Sequence, residues 1–130
     1  MAGGGRAVRQ GHDLRDRVVA LAQELGLEAE IEVRVGRRVY GKRRRIDVVL
    51  RRPDADRILG IECKYQGSSG TAEEKIALIL QDIAHWPIPG IVVIDGPGFS
   101  DEMRGYLLAS GKVVEFEDLR DWLRLFFALP

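Results

Sequence analysis

Apolar residues follow two different periods along the first half of the chain. Between Leu14 and Leu25 they recur every three or four positions, which predicts an amphipathic helix. From residue 28 to residue 35 charged and apolar residues alternate, as in a strand with one buried face. Two more strands are predicted over residues 46–50 and 58–65. This half of the chain is therefore predicted to be a helix followed by three strands.

The second half begins with a helix start signal. Thr71 is followed three residues later by Glu74, a capping box that opens a predicted helix ending before Pro87. Residues 91–94 are continuously apolar, which is typical of a strand covered on both faces. Three further elements are predicted: a helix over residues 100–109, a strand over residues 113–116 and a helix over residues 119–129. The predicted order is α-β-β-β-α-β-α-β-α, an α/β fold without an internal repeat.

The size and composition of the chain narrow its class. It has 130 residues, of which 45% are hydrophobic and 31% charged, a mixture typical of one globular domain. Cys63 is the only cysteine, which excludes a disulfide framework and a multi-cysteine zinc site. Residues 1–11 contain a glycine run and no signal-peptide pattern, so we expect a flexible leader before a single domain over residues 12–130. No apolar run has the length of a membrane span, and we expect a cytoplasmic protein.

Charge is balanced overall but is distributed unevenly. The chain has 20 basic and 20 acidic residues, yet the segment from Arg34 to Arg52 contains nine basic residues and one acid, Asp47. Such a segment attracts phosphate backbones. A solvated, arginine-rich hairpin is the alternative interpretation. The candidate nucleic-acid contacts are Arg37, Arg38, Lys42, Arg43, Arg44 and Arg45.

Polar residues interrupt the second and third predicted strands. Alternation places Ile46, Val48 and Leu50 on one face of the second strand, with Asp47 on the other. On the third strand, Glu62, Lys64 and Gln66 share the face opposite Cys63. If these strands pair, Asp47 converges with Glu62 and Lys64. The convergence could be a structural salt bridge, but two acids and one lysine leave a negative charge that a divalent cation would balance.

These residues resemble a known signature. Asp47 followed by Glu62-Cys63-Lys64 is similar to the Asp…Glu-x-Lys signature of the PD-(D/E)XK nuclease superfamily. The resemblance implies a restriction-endonuclease-like αβββαβ core, with a mixed central sheet flanked by helices; here a C-terminal strand and helix are added. The predicted element order agrees from Asp13 to Ile94. Ile46 stands where the name of the superfamily has proline.

The resemblance also implies roles for individual residues. Asp47, Glu62 and the backbone carbonyl of Cys63 would bind Mg²⁺, or Mn²⁺ in its place. Lys64 would position or activate the attacking water, and Gln66 would support the site or contact a phosphate. The implied activity is hydrolysis of phosphodiester bonds, with DNA as the expected partner.

Some members of the superfamily add an acid from the first helix. Asp13, Asp16 and Glu24 are the candidates, and Glu24 is preferred because it flanks the apolar stripe. For each of them taken singly, an ordinary surface acid is the favoured interpretation.

Other residues receive ordinary structural interpretations. Cys63 is expected to be buried, and His12 and His85 are too few for a zinc site. Phe127 and Leu129 lie outside the apolar stripe of the last helix, which indicates a homodimer through that helix.

Two alternative interpretations compete with the nuclease function. One is a nucleic-acid-binding or regulatory module on the same fold, and the other is an α/β protein in which the charged residues form a structural ion-pair network.

Overall fold

The order of elements follows the sequence prediction. The computed structural model describes residues 2–37, 43–68 and 72–130, and the side chains of residues 10–36, 45–68 and 75–130. The helices are α1 (Ala2–Glu24), α2 (Ala72–Ile83), α3 (Asp101–Leu108) and α4 (Leu119–Phe126). The strands are β1 (Glu28–Arg37), β2 (Arg43–Arg52), β3 (Arg57–Tyr65), β4 (Gly90–Asp95) and β5 (Val113–Glu115), and a 3-10 turn, Phe116–Asp118, precedes α4.

Helix α1 is longer at its N-terminus than the sequence predicted. Its backbone is helical from Ala2, so α1 includes residues for which the sequence predicted a flexible leader; the division into a leader over residues 1–11 and a domain over residues 12–130 stays a prediction. Leu14 and Val18 are fully buried and hold α1 against the sheet. Extending an existing helix by further turns costs less free energy than nucleating a new helix. In the part of the chain that the structure describes, no helix combines the length and apolar character needed to cross a membrane.

The strands form one mixed sheet in which spatial order equals chain order. The order is β1-β2-β3-β4-β5. The pairs β1–β2 and β2–β3 are antiparallel, whereas β3–β4 and β4–β5 are parallel. The change of direction occurs at β3, because α2 carries the chain across the sheet between β3 and β4.

Helices cover both faces of this sheet. One core contains α1, α4 and residues such as Ile61 and Val93, and the other contains residues of α2 and α3 with Val92 and Ile94. The apolar run of β4 therefore contributes to both cores, as predicted. We refer to the two faces as the α1/α4 face and the α2/α3 face.

The end of the chain buries more apolar surface than the sequence predicted. Phe127 is fully buried, although it lies outside the helical stripe of α4. The chain turns back after α4: Ala128 has a positive φ of 53°, and Arg52 donates to the carbonyl oxygens of Phe127 (2.7 Å) and Ala128 (3.0 Å). The homodimer stays a prediction, and Leu125 is the strongly exposed apolar residue that α4 offers it.

Candidate active site

The four strand residues singled out by the sequence line one cavity. Asp47, Glu62, Lys64 and Gln66 lie on the wall of a cavity of about 460 Å³. The cavity is also lined by residues of α1, of α2 and by Phe99. The structure thus brings the predicted catalytic residues together, while their individual roles remain predictions.

Asp47 is positioned where the β2–β3 ladder ends. The ladder begins at the turn, where Arg52 pairs with Arg57, and its last pair is Val48 with Ile61. Beyond that point the Asp47 carboxylate, rather than its backbone, bonds to β3: one of its oxygens accepts the N–H of Cys63 at 2.8 Å. Because the side chain takes over a ladder hydrogen bond, Asp47 is held beside β3 at the cavity wall.

The side chains of β1 and β2 also change faces at this point. Val48 belongs to the core on the α1/α4 face, whereas Ile46 belongs to the core on the α2/α3 face. Val33, the partner of Ile46, also packs on the α2/α3 face. The prediction that Ile46 shares a face with Val48 is therefore wrong. The register places Glu32 opposite Asp47, and Glu32 has a φ of 50°, so regular alternation is broken at this pair.

Burial makes the charge of Asp47 costly. Desolvation raises the pKa of Asp47 above its usual value, and the nearby Glu32 carboxylate adds to the rise. The Cys63 N–H, the Lys64 ammonium and the Arg15 guanidinium oppose it without cancelling it. A half-buried carboxylate of this kind, on the same cavity wall as Glu62, supplies hard oxygen donors of the type that suits Mg²⁺ or Mn²⁺.

Gln66 is anchored to the turn after β4. Its side-chain amide donates to the Gly98 carbonyl at 2.9 Å, and its backbone carbonyl accepts the Gly98 N–H at 2.8 Å. A Cβ on Gly98 would lie 2.5 Å from the Cγ of Gln66, so only glycine fits there without displacement. The turn at residues 96–98 therefore fixes the end of β3 beside the cavity, a function that the sequence did not indicate.

Cys63 is a structural residue, as predicted. Its side chain is 7% exposed and packs in the core on the α1/α4 face. Desolvation raises the pKa of the Cys63 thiol well above its usual value, which keeps it protonated and unreactive.

The structure does not bring Glu24 to the site. Glu24 ends α1 and pairs with Arg120 of α4 at 2.5 Å, with both side chains exposed. The cavity wall is formed instead by the earlier part of α1, through Gly11, His12 and Arg15. The preference for Glu24 is wrong because the cavity lies beside a different turn of the helix.

Sequence reasoning missed three charged residues of the cavity: Arg15, Glu32 and Lys75. Arg15 and Glu32 both line it, and they contact each other at 3.4 Å. A signal for Glu32 was available: once β1 and β2 pair so that Val33 meets Ile46, residue 32 must face Asp47. Arg15 carried no such signal, because its position depends on how α1 is rotated against the sheet.

The basic segment is described only in part. Arg38 and Lys42 lie outside the described residues, and Arg37, Arg43 and Arg44 are described by backbone alone, with Arg37 paired to Arg43. Arg45 has a half-exposed side chain whose guanidinium is 3.9 Å from Glu32. The nucleic-acid contacts therefore remain predictions.

Another group of carboxylates lies apart from the cavity. Oxygens of Glu115, Glu117 and Asp118 lie within 4.8 Å of one another. Glu115 already pairs with Arg104, and the other two are exposed, so this group indicates no function.

Comparison with known proteins places the chain in a family. A model of the PD-(D/E)XK nuclease superfamily domain matches residues 6–120, so the chain belongs to that superfamily. No curated protein matches the chain. Among solved structures, the crystal structure of the protein of unknown function AF1548 is similar, with a TM-score of 0.55 and 23% identity over 83% of this chain. The chain spans 57% of that protein, and the likeness supports the restriction-endonuclease-like fold alone.

Proposed function

We propose that this protein is a metal-dependent nuclease that hydrolyses phosphodiester bonds of DNA. The observation that carries the proposal is the meeting of Asp47, Glu62 and Lys64 on one cavity wall, at the point where the β2–β3 ladder ends. Membership of a nuclease superfamily supports the same chemistry.

The residues divide the work according to their chemistry. Asp47 and Glu62, with the carbonyl of Cys63, would hold Mg²⁺ or Mn²⁺. When bound, such an ion neutralises charge on the phosphate and lowers the pKa of a coordinated water. Lys64 donates a hydrogen bond that orients the attacking water, and its positive charge favours the ionised form of Asp47. Gln66 keeps the end of β3 in place through Gly98.

DNA is the proposed substrate because of the neighbouring positive charge. Six candidate nucleic-acid contacts precede Asp47 closely in sequence: Arg37, Arg38, Lys42, Arg43, Arg44 and Arg45. Strands β1 and β2, which carry Arg37, Arg43, Arg44 and Arg45 among them, also position the cavity residues Glu32 and Asp47. Positive charge at such a position attracts the phosphate backbone from a distance.

A cleavage assay with a matched lysine variant tests the proposal. Plasmid DNA incubated with Mg²⁺ or Mn²⁺ is expected to become nicked or linear. Lys64→Ala should lower the rate by about 10²–10⁴-fold with an unchanged circular dichroism spectrum. Lys112→Ala, a charge removal at an exposed position before β5, should leave the rate unchanged.

Two results would overturn the proposal. Equal rates for Lys64→Ala and the native protein would remove Lys64 from the mechanism. Salt-sensitive DNA binding without cleavage, in any of a series of divalent metals, would favour a binding or regulatory module.

A further inference from the structure

Arg15 places a mostly buried positive charge at the cavity wall. Its side chain is 15% exposed and lines the cavity beside Asp47. The guanidinium contacts Asp16 and Glu32, each at 3.4 Å, which is longer than a normal charge-assisted hydrogen bond. A guanidinium has five N–H donors arranged to bind the oxygens of carboxylates or phosphates. Arg15 is therefore a mostly buried cation, with long hydrogen bonds to Asp16 and Glu32 and an electrostatic interaction with Asp47, at the wall of the proposed nuclease site.

Glu32 is held in a backbone conformation that disfavours a glutamate. Its φ of 50° lies in the left-handed region, which residues other than glycine seldom adopt. At this position the carboxylate lines the cavity and lies between two cations, with Arg15 at 3.4 Å and Arg45 at 3.9 Å. Unfavourable backbone conformations of this kind persist at functional sites.

From this arrangement we propose that Arg15 is a phosphate-binding residue of the site and that Glu32 is a positioning residue that holds the Arg15 guanidinium toward the cavity. The inference rests on the proposed nuclease function. It assigns to α1 a cationic phosphate contact, where the sequence had suggested an acidic metal ligand.

The geometry favours this role for Glu32 over that of a third metal ligand. Among the described acidic, cysteine and histidine side chains, the group with ligand atoms within 4.8 Å of one another is Glu115, Glu117 and Asp118. Glu32 thus does not form one tight group with Asp47 and Glu62. Its ion pairs are with Arg15 and Arg45, which is the arrangement expected of a residue that acts through Arg15.

Binding without metal tests Arg15 independently of catalysis. Fluorescence anisotropy with a short labelled DNA duplex in EDTA, over a series of salt concentrations, gives the affinity and its salt dependence. Arg15→Ala should weaken binding about tenfold and reduce the slope of log K against log salt by about 0.7–0.9, the value of one phosphate contact. Arg15→Lys should restore the slope. Arg120→Ala is the control, because Arg120 forms an Arg–Glu pair away from the cavity and should bind as the native protein does.

A double-mutant cycle in the cleavage assay tests Glu32. Glu32→Ala should lower the cleavage rate by about tenfold in the native background, and it should have no further effect in the Arg15→Ala background, because both changes remove one interaction. Glu24→Ala, the matched change in the remote Arg–Glu pair, should have no effect in either background.

Each contrary result has a separate meaning. Native affinity and salt slope in Arg15→Ala would overturn the phosphate-binding role. Additive effects of the two substitutions would overturn the positioning role. If the native protein cleaves no DNA with any metal, the proposed function fails, whereas the binding experiment still decides whether Arg15 contacts phosphate.

Discussion

The two ends of the β2–β3 hairpin shift the pKa of an aspartate in opposite directions. At the turn, Arg52 pairs with Asp54 at 2.7 Å, and this hydrogen bond lowers the pKa of the exposed Asp54 carboxyl. The other end, where the ladder stops after Val48 and Ile61, is called the open end. There, burial raises the pKa of Asp47 despite its hydrogen bond with Cys63. Both residues are aspartates of one hairpin, so the difference arises from their surroundings.

The contrast distinguishes a part of the protein that provides stability from a part that provides function. At the turn, Arg52 satisfies both a carboxylate and two carbonyl groups of the C-terminal segment. At the open end the ladder stops, and an unfavourable buried charge remains beside a cavity. Residues that are destabilising in the free protein are expected where a ligand later compensates for them.

The largest expected effect is that of Asp47→Asn. It should reduce metal-dependent cleavage by on the order of 10³-fold, because the proposed metal ligand is lost. The variant should also unfold at a higher temperature, since a buried charge is removed while the amide oxygen can still accept the Cys63 N–H. Cleavage rate and thermal unfolding measure the two effects.

Asp54→Asn is the matched control at the turn. It removes the same charge from an exposed position, and it should leave cleavage unchanged and lower the unfolding temperature slightly. A lower unfolding temperature for Asp47→Asn as well would contradict the contrast between the two ends.

Gly98→Ala should disturb the open end from a distance. The new Cβ would lie 2.5 Å from both the Gln66 side chain and the Ser68 carbonyl oxygen, so we expect a loss of about 1–3 kcal/mol of stability and slower cleavage. Gly105→Ala is the control: no atom lies within 4 Å of its new Cβ, and it should stabilise α3 by about 0.5–1 kcal/mol. Chemical denaturation measures both, and equal stability of the two variants would contradict the anchoring of Gln66.

Arg52→Ala should affect stability without affecting cleavage. It leaves the carbonyl groups of Phe127 and Ala128 without their arginine donor, which we expect to cost about 1–3 kcal/mol. Arg51→Ala, at the exposed neighbouring position, should cost much less. A slower cleavage rate in Arg52→Ala, measured well below its unfolding temperature, would show that the two ends are not independent.

The smallest effect is on the pH dependence of stability in the metal-free protein. The pKa of Asp47 is raised above its usual 3.8, so the folded state binds the Asp47 proton more tightly than the unfolded state does. The stability that this proton contributes is present below pH 3.8 and is lost as pH rises from 3.8 through the raised pKa. The pKa of Asp54 is lowered, so its contribution is present above 3.8 and is lost as pH falls. Urea unfolding across this range should therefore show opposite pH trends for the two asparagine variants relative to the native protein. Trends of the same sign would contradict the assigned causes.

The sequence alone was sufficient for the order of elements and for the strand residues of the site. Periods of two and three to four residues are local, so they identified β3 and the face shared by Glu62 and Lys64. The anomaly of Asp47 in an apolar strand was also visible locally. It pointed to the cavity because β2 and β3 are adjacent in the chain and therefore pair.

Only the tertiary structure decided which other groups face those residues. The change of faces at Glu32, the turn that holds Gln66, the place of Arg15 and the burial of Phe127 all depend on contacts between residues far apart in the chain. Hydrophobic periodicity is insensitive to the rotation of a helix about its axis, the residue at which a ladder stops and a single positive φ. These three features set the surroundings of Asp47, and through them the chemistry that the site can perform.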